Sequence, residues 1–205
     1  MSPEEQLKEI AAEISVCTKC KLHAGRKRAV PGEGPANSDL VFIGEGPGFH
    51  ENEQGRPFVG AAGRFLEELL ASIGLTREQV FICNVIKCRP PGNRDPEAEE
   101  IMACKDYLDR QIEAISPKAI VTLGRFSMAR YFPNARISAI HGRPRVVNGR
   151  WIVPMYHPAA ALHQPSLRSV VQQDFAGLPE VVARALEAAP ETSAPPDGPE
   201  QLSMF

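Results

Sequence analysis

Aromatic side chains are scarce, 6% of the 205 residues, and tryptophan occurs once. A chain so poor in rings cannot line a long aromatic groove, so any stacking surface must rest on a few individual side chains. No stretch of about eighteen apolar residues occurs, and the first ten residues, MSPEEQLKEI, are acidic. Neither a membrane span nor a secretory signal is therefore expected, and the protein is assigned to the cytosol. A surplus of positive charge is missing too: 23 Lys and Arg stand against 25 Asp and Glu, a net charge of −2. Bulk charge alone gives no support for a nucleic-acid partner. Cysteine is limited to five residues, an odd number in a cytosolic chain, which argues against a disulfide framework.

What is present suffices for one globular domain with a full core, since 43% of the residues are hydrophobic. Ser2-Pro3-Glu4-Glu5 carries a capping-box pattern ahead of a helix with Leu7, Ile10, Ala11 and Ile14 on one face. Strands are expected over 39–43, 79–87 and 119–123, with helices over about 61–73, from Asp95-Pro96 onwards, and over 124–132. Residues 146–153 form a hairpin pattern around Asn148-Gly149. Helical spacing returns over 166–186, interrupted near 177–179. The alternation predicts an α/β fold, a three-layer α/β/α sandwich with a central, mainly parallel four-stranded sheet. Residues 1–188 make the domain. Residues 189–205, acidic, rich in proline and without a basic residue, are expected to be disordered.

The most chemistry-rich segment is 44–60, GEGPGFHENEQGRPFVG, between the first strand and a helix. Five of its seventeen residues are glycine, yet it also holds carboxylates, a histidine and Phe58. Ligands of α/β proteins bind at such strand-to-helix handovers. Asn84 near the end of the second strand offers a donor and an acceptor, and His157 follows the strand that leaves the hairpin. Either residue alone is more simply a satisfied structural group; together with a Phe-bearing glycine loop they make a pocket able to stack a planar ring and read its edge.

Four cysteines, Cys17, Cys20, Cys88 and Cys104, fall at loop or helix positions, spaced C-x2-C and, 67 residues later, C-x15-C. That set suggests a metal centre; zinc and an iron–sulfur cluster both remain open, as do two buried thiols beside a coincidental CxxC. Cys83, mid-strand among Phe81, Ile82 and Val85, reads as a small buried hydrophobe.

GEGPG followed by GRPFVG, Asn84 ahead of KCRPP, HPAAALH, and four cysteines in this order resemble the family 4 uracil-DNA glycosylases. The resemblance runs from Cys17 to about Leu186. It implies a monofunctional hydrolase that cuts the N-glycosidic bond of deoxyuridine in DNA and leaves an abasic site, with a [4Fe-4S] cluster on Cys17, Cys20, Cys88 and Cys104. It further implies that Phe58 stacks on flipped uracil, that Asn84 bonds its N3–O4 edge, and that His157 stabilises the charge developing on O2. The backbone of Glu45 and Gly46 would line the pocket and Glu51 would close one side. Better-known glycosylases carry a water-orienting aspartate where this chain has Gly46, so Glu51 is left with two candidate roles, exclusion of the thymine methyl and activation of water.

Arg89, Arg143 and Arg168 are candidate phosphate contacts, with ordinary surface charge as the alternative. Leu162 or His163 in the segment after His157 would fill the gap left by the flipped base. The last five residues, QLSMF, resemble the peptide by which bacterial replication proteins bind the sliding clamp, through Gln201, Leu202, Met204 and Phe205. A monomer is expected. The competing functions are a uracil-DNA cross-linking relative, disfavoured because CRPPGNRDP passes into a helix without an added basic loop, and an inactive iron–sulfur scaffold.

Overall fold

The computed structural model describes residues 1–188; the predicted acidic tail and its clamp peptide lie outside the described residues. Helix α1 (Pro3–Val16) opens with the expected capping box, Ser2 Oγ accepting from Glu5 N at 3.2 Å and Glu5 Oε2 accepting from Ser2 N at 2.7 Å. Strand β1 (Leu40–Gly44) leads to a short helix α2 (Phe49–Gln54) and then α3 (Ala61–Ser72). Strand β2 (Phe81–Asn84) precedes α4 (Ala98–Ile115), β3 (Ala119–Leu123), α5 (Arg125–Ala129) and α6 (Ile137–Ile140). The hairpin is β4 (Arg145–Val147) and β5 (Arg150–Met155), followed by α7 (Pro158–His163), α8 (Leu167–Ala176) and α9 (Leu178–Glu187).

The sheet order is β2-β1-β3-β5-β4. Four strands are parallel, as expected, and β4 adds an antiparallel fifth at the edge, because the hairpin arm pairs with β5 instead of standing apart. Asn148 (φ 49°) and Gly149 (φ 72°) supply the two left-handed turn positions that an Asn-Gly pair provides. The far edge is closed differently: Glu33 and Ile82 exchange backbone hydrogen bonds of 2.9 and 2.8 Å, so a loop segment occupies the free side of β2.

Strand parity divides the core. Leu40, Phe42, Ile82, Val121 and Val153 face α3, α8 and α9, where Phe42 stacks on Phe175 at 6.0 Å between centroids. Val41, Ile43, Phe81, Cys83 and Ile120 face α4, behind which α1 packs through Ile10 and Ile14 against Tyr107 of α4. With both faces covered, the carboxyl ends of β1, β2 and β5 and the loops that follow them remain to form a site.

Two departures bear on that site. The glycine-rich segment is not a plain loop but encloses α2, because Glu51 folds back on the backbone around it. Strand β2 is shorter than the apolar run suggests. β1 stops at Gly44, and beyond it only Val85 N and Ile86 N reach across, to Gly44 O at 3.0 Å and Glu45 O at 3.1 Å.

Candidate active site

At the strand ends lies a cavity of about 640 Å³ whose lining includes Glu45, Gly46, Glu51, Phe58, Asn84, His157 and His163. Its floor is set by register. Gly44 pairs with Asn84 across β1 and β2. A Cβ on residue 44 would stand 2.6 Å from Phe58 Cζ and closer still to Asn84 Oδ1, so glycine is what lets both side chains converge there. Asn84 is 2% exposed, and its Oδ1 has no hydrogen-bond partner among the described residues. An orphaned acceptor at that depth is costly unless a ligand fills it.

Phe58 adopts a left-handed backbone, φ 51°. Two neighbours enforce it: Arg77, buried, donates to the carbonyls of Phe58, at 2.7 Å, and Pro57, while a side chain at Gly63 would run into the Phe58 carbonyl. The ring then lies offset on the His157 imidazole, 5.4 Å between centroids and 22° between planes. A base inserted between two rings needs roughly 7 Å, two stacking distances of about 3.5 Å. The pair is therefore not a sandwich; Phe58 fixes the plane of His157 and presents a wall.

His157 caps α7, its Nδ1 accepting from Ala159 N at 3.1 Å. The proton of a neutral imidazole then resides on Nε2. Burial pushes its pKa down to about 4, with the Glu51 charge opposing, so the ring is neutral at physiological pH. The site thus holds a neutral N–H donor and an unfilled carbonyl acceptor.

Glu51 closes one side through main-chain contacts. Its Oε2 accepts from Gly48 N at 3.1 Å, and its Oε1 from Val59 N at 2.9 Å and Gly60 N at 3.0 Å. The carboxylate thereby clasps α2 to the start of α3. Glu45 differs: its side chain accepts no hydrogen bond within the described residues, and its pKa is raised by burial and by the Asp95 charge, with Arg125 opposing. The sequence pattern had singled out only the Glu45 backbone.

The remaining candidates scatter. His163 reaches the cavity, whereas Leu162, 40% exposed on the same short helix, lies beyond its wall. Arg89 stands at the rim, donating to Asn93 Oδ1 at 2.7 Å with its guanidinium 5.3 Å from the Phe49 ring. Arg143 is exposed in the turn after α6. Arg168 is engaged on α8, 2.8 Å from Glu68 Oε2 and 4.3 Å above the Phe65 ring. Arg77, Gly44 and Gly63 shape the site without any local motif to mark them.

Cys17, Cys20, Cys88 and Cys104 line one small cavity between α1, the segment after β2, and α4, together with Arg26, Lys87 and Tyr107. Among the described residues no three His, Cys, Asp or Glu side chains close on a single-ion position. The thiols surround a void. Donors approach two of the sulfurs, Lys19 N at 3.4 Å from Cys17 Sγ and Arg26 Nη1 at 3.5 Å from Cys88 Sγ. Burial pushes the Cys88 thiol up and that of Cys104 to about 11. Cys83 is 1% exposed in the core, as expected. No helix among the described residues is long and apolar enough to cross a membrane.

Fold and crevice together define a doubly wound α/β protein with a polar cavity at its strand ends. Residues 31–176 match the family described as the uracil DNA glycosylase superfamily. Curated relatives narrow this. A type-4 uracil-DNA glycosylase of Sulfurisphaera tokodaii is 48% identical over 187 residues, 86% of this chain and 85% of that protein. Those of Archaeoglobus fulgidus (47%, covering 88% and 95%) and Thermotoga maritima (44%, covering 85% and 94%) are similar over nearly their whole lengths. The chain belongs to the uracil DNA glycosylase superfamily, and within it to the type-4 group.

Proposed function

We propose that this protein is a uracil-DNA glycosylase, which flips deoxyuridine out of DNA and hydrolyses its N-glycosidic bond to leave an abasic site. The observation that carries this is the orphaned Asn84 Oδ1, 2% exposed at the floor of the cavity beside a neutral His157. Uracil offers N3–H to that oxygen and takes the Asn84 amide donor on O4. Cytosine presents the reverse pattern and meets donor with donor. Extrusion of the base costs a few kcal/mol, less for an unstable U·G pair.

Bond cleavage leaves an oxocarbenium-like sugar and a uracil anion. His157 Nε2–H, with its proton fixed by the bond to Ala159 N, donates to O2 as that charge grows, and one such donor contributes on the order of 10² to 10³ in rate. Phe58 supplies the wall on which the ring rests and keeps the imidazole in plane. Gly46 lets the main chain approach closely. Glu51, whose oxygens are taken by three backbone N–H groups, serves as the clasp and steric wall. Glu45, with free oxygens and a raised pKa, is the better-placed acid to orient water. His163, at the cavity, or the exposed Leu162 beside it fills the gap left by the flipped base, and Arg89 and Arg143 are the phosphate contacts.

The four cysteines fit a [4Fe-4S] cluster, because each thiolate of such a cluster holds a different iron and the sulfurs surround a shared volume instead of one point. Bound there, the cluster supplies a cross-link between α1, the Cys88 segment and α4. The protein acts as a cytosolic monomer, and residues Gln201, Leu202, Met204 and Phe205 tether it to the sliding clamp; deleting them should abolish clamp affinity and leave cleavage of free oligonucleotide intact.

The test is an oligonucleotide with U, T, hypoxanthine or C at one position, treated with alkali after incubation. Cleavage at U and not at T or C, lost in Asn84→Leu, is expected. Uncut uracil strand, or a covalent adduct stable to denaturing gel, would overturn the proposal.

A further inference from the structure

Lys87 is 1% exposed, among the largest fully buried side chains of the protein. Its ammonium donates to Asn84 O at 2.9 Å and to Gln111 Oε1 at 2.7 Å, and both acceptors are neutral. Gln111 is in turn held by its own donor to Pro31 O at 2.8 Å. A buried cation without an anion is among the most expensive arrangements a fold can contain. A glutamate at position 111 would have supplied a carboxylate; with glutamine there, Lys87 has no anionic side-chain partner among the described residues.

Lys87 has another neighbour. It lines the cavity that Cys17, Cys20, Cys88 and Cys104 share. Arg26 enters the same wall, donating to Cys17 O at 2.6 Å and standing 3.5 Å from Cys88 Sγ. Four thiolates around an iron–sulfur core outweigh the positive charge of that core, so the assembled centre is an anion. We propose that Lys87 is the resident counter-cation of the cluster and, through its bond to the Asn84 carbonyl, the strut that joins the cluster to the residue reading the base. This rests on the cluster assignment above. It gives the cluster a positioning influence on recognition without electron transfer: the anion holds the ammonium, the ammonium holds the Asn84 main chain, and Asn84 Oδ1 meets the ligand.

Anaerobically purified wild type, Lys87→Met and Gln111→Glu should be compared for iron per chain, for loss of absorbance near about 400 nm under a chelator, and for thermal unfolding by circular dichroism. Lys87→Met removes the charge, and Gln111→Glu offers the ammonium a competing carboxylate. Both should lose colour roughly tenfold faster than wild type, as expected when a buried charge loses its partner. In Lys87→Met the KM for a uracil oligonucleotide should rise more than kcat falls, since binding geometry is what the strut controls. A folded Lys87→Met with wild-type iron content and bleaching rate overturns the proposal. Should that variant not fold, a wild-type bleaching rate in Gln111→Glu overturns it alone. Colourless, iron-free wild type refutes the cluster assignment itself, and does so before either variant is measured.

Discussion

Replacing Gly44 with alanine tests whether the convergence of Phe58 and Asn84 is what makes the site. The backbone permits the change, because Gly44 lies within β1 and has none of the positive φ values found at eight other glycines among the described residues. Alanine in a strand should even recover about 0.5–1 kcal/mol of conformational entropy. Against that, the new Cβ would sit 2.6 and 2.7 Å from Phe58 Cζ and Cε2 and closer to Asn84 Oδ1. Ordinary carbon contacts lie near 3.5–4.0 Å, so something must move by about 1 Å. Overpacking of this kind costs roughly 1–3 kcal/mol, and the net loss should be about 1–2 kcal/mol, a fall in Tm of roughly 2–8 °C for a domain of this size. Activity should suffer far more, since displacement by about 1 Å costs on the order of 10²-fold in rate. Thermal melts and alkali cleavage of a uracil oligonucleotide give both numbers. Gly25→Ala, outside the cavity, is the control: among the described residues nothing lies within 4 Å of its added Cβ. Gly44→Ala with wild-type kcat/KM would refute the reasoning, whatever its Tm.

Three further outcomes are expected. His157, with its folded pKa depressed to about 4, binds fewer protons than the unfolded chain between that value and the usual 6.5, so its contribution to stability is complete above pH 6.5 and lost as pH falls toward 4. Urea unfolding at pH 7 and 5 should therefore show wild type losing about 2 kcal/mol more than His157→Gln, and an equal loss in both proteins would contradict this assignment. Glu51→Gln should destabilise by roughly 1.5–3 kcal/mol by weakening the clasp of three N–H groups, whereas Glu45→Gln should leave the melt unchanged and lower kcat; the opposite pattern would exchange their roles. Arg77→Ala should cost about 2–4 kcal/mol, because it removes the buried donor to the Phe58 and Pro57 carbonyls while Glu33 keeps Arg56, and a loss under about 1 kcal/mol on denaturant titration would show that Phe58 does not depend on it.

Much of this was legible in the chain because the signals were local. Short continuous apolar runs announced the strands, Ser2 and Glu5 the first helix, Asn148-Gly149 the turn. The segment 44–60 stood out by composition as a candidate ligand loop, and Asn84 and His157 by their positions at strand ends, and all three line the same cavity. What escaped was long-range. Helix α2 was hidden among glycines because its stabilising carboxylate bonds to Val59 and Gly60, eight and nine residues away. Arg77 looked like any surface arginine; only the fold brings it under Phe58. Lys87 stood within an apolar run whose pattern could not reveal that its ammonium would be buried. Helix α4 starts at Ala98 and not after Asp95, because Glu97 caps it with Glu100 returning the bond at 2.8 Å.

The pairing of Glu33 with Ile82 has a consequence for life in a crowded cell. β2, which carries Asn84, is an outer strand, and an uncovered outer strand is a template on which another chain can add itself. The loop through Glu33 occupies that template midway along β2, and the opposite border is a strand of only three residues, Arg145–Val147, beginning with an exposed arginine. Strand-by-strand growth into aggregates is thus obstructed at both borders, and the strand that carries Asn84 is kept from serving as a seed.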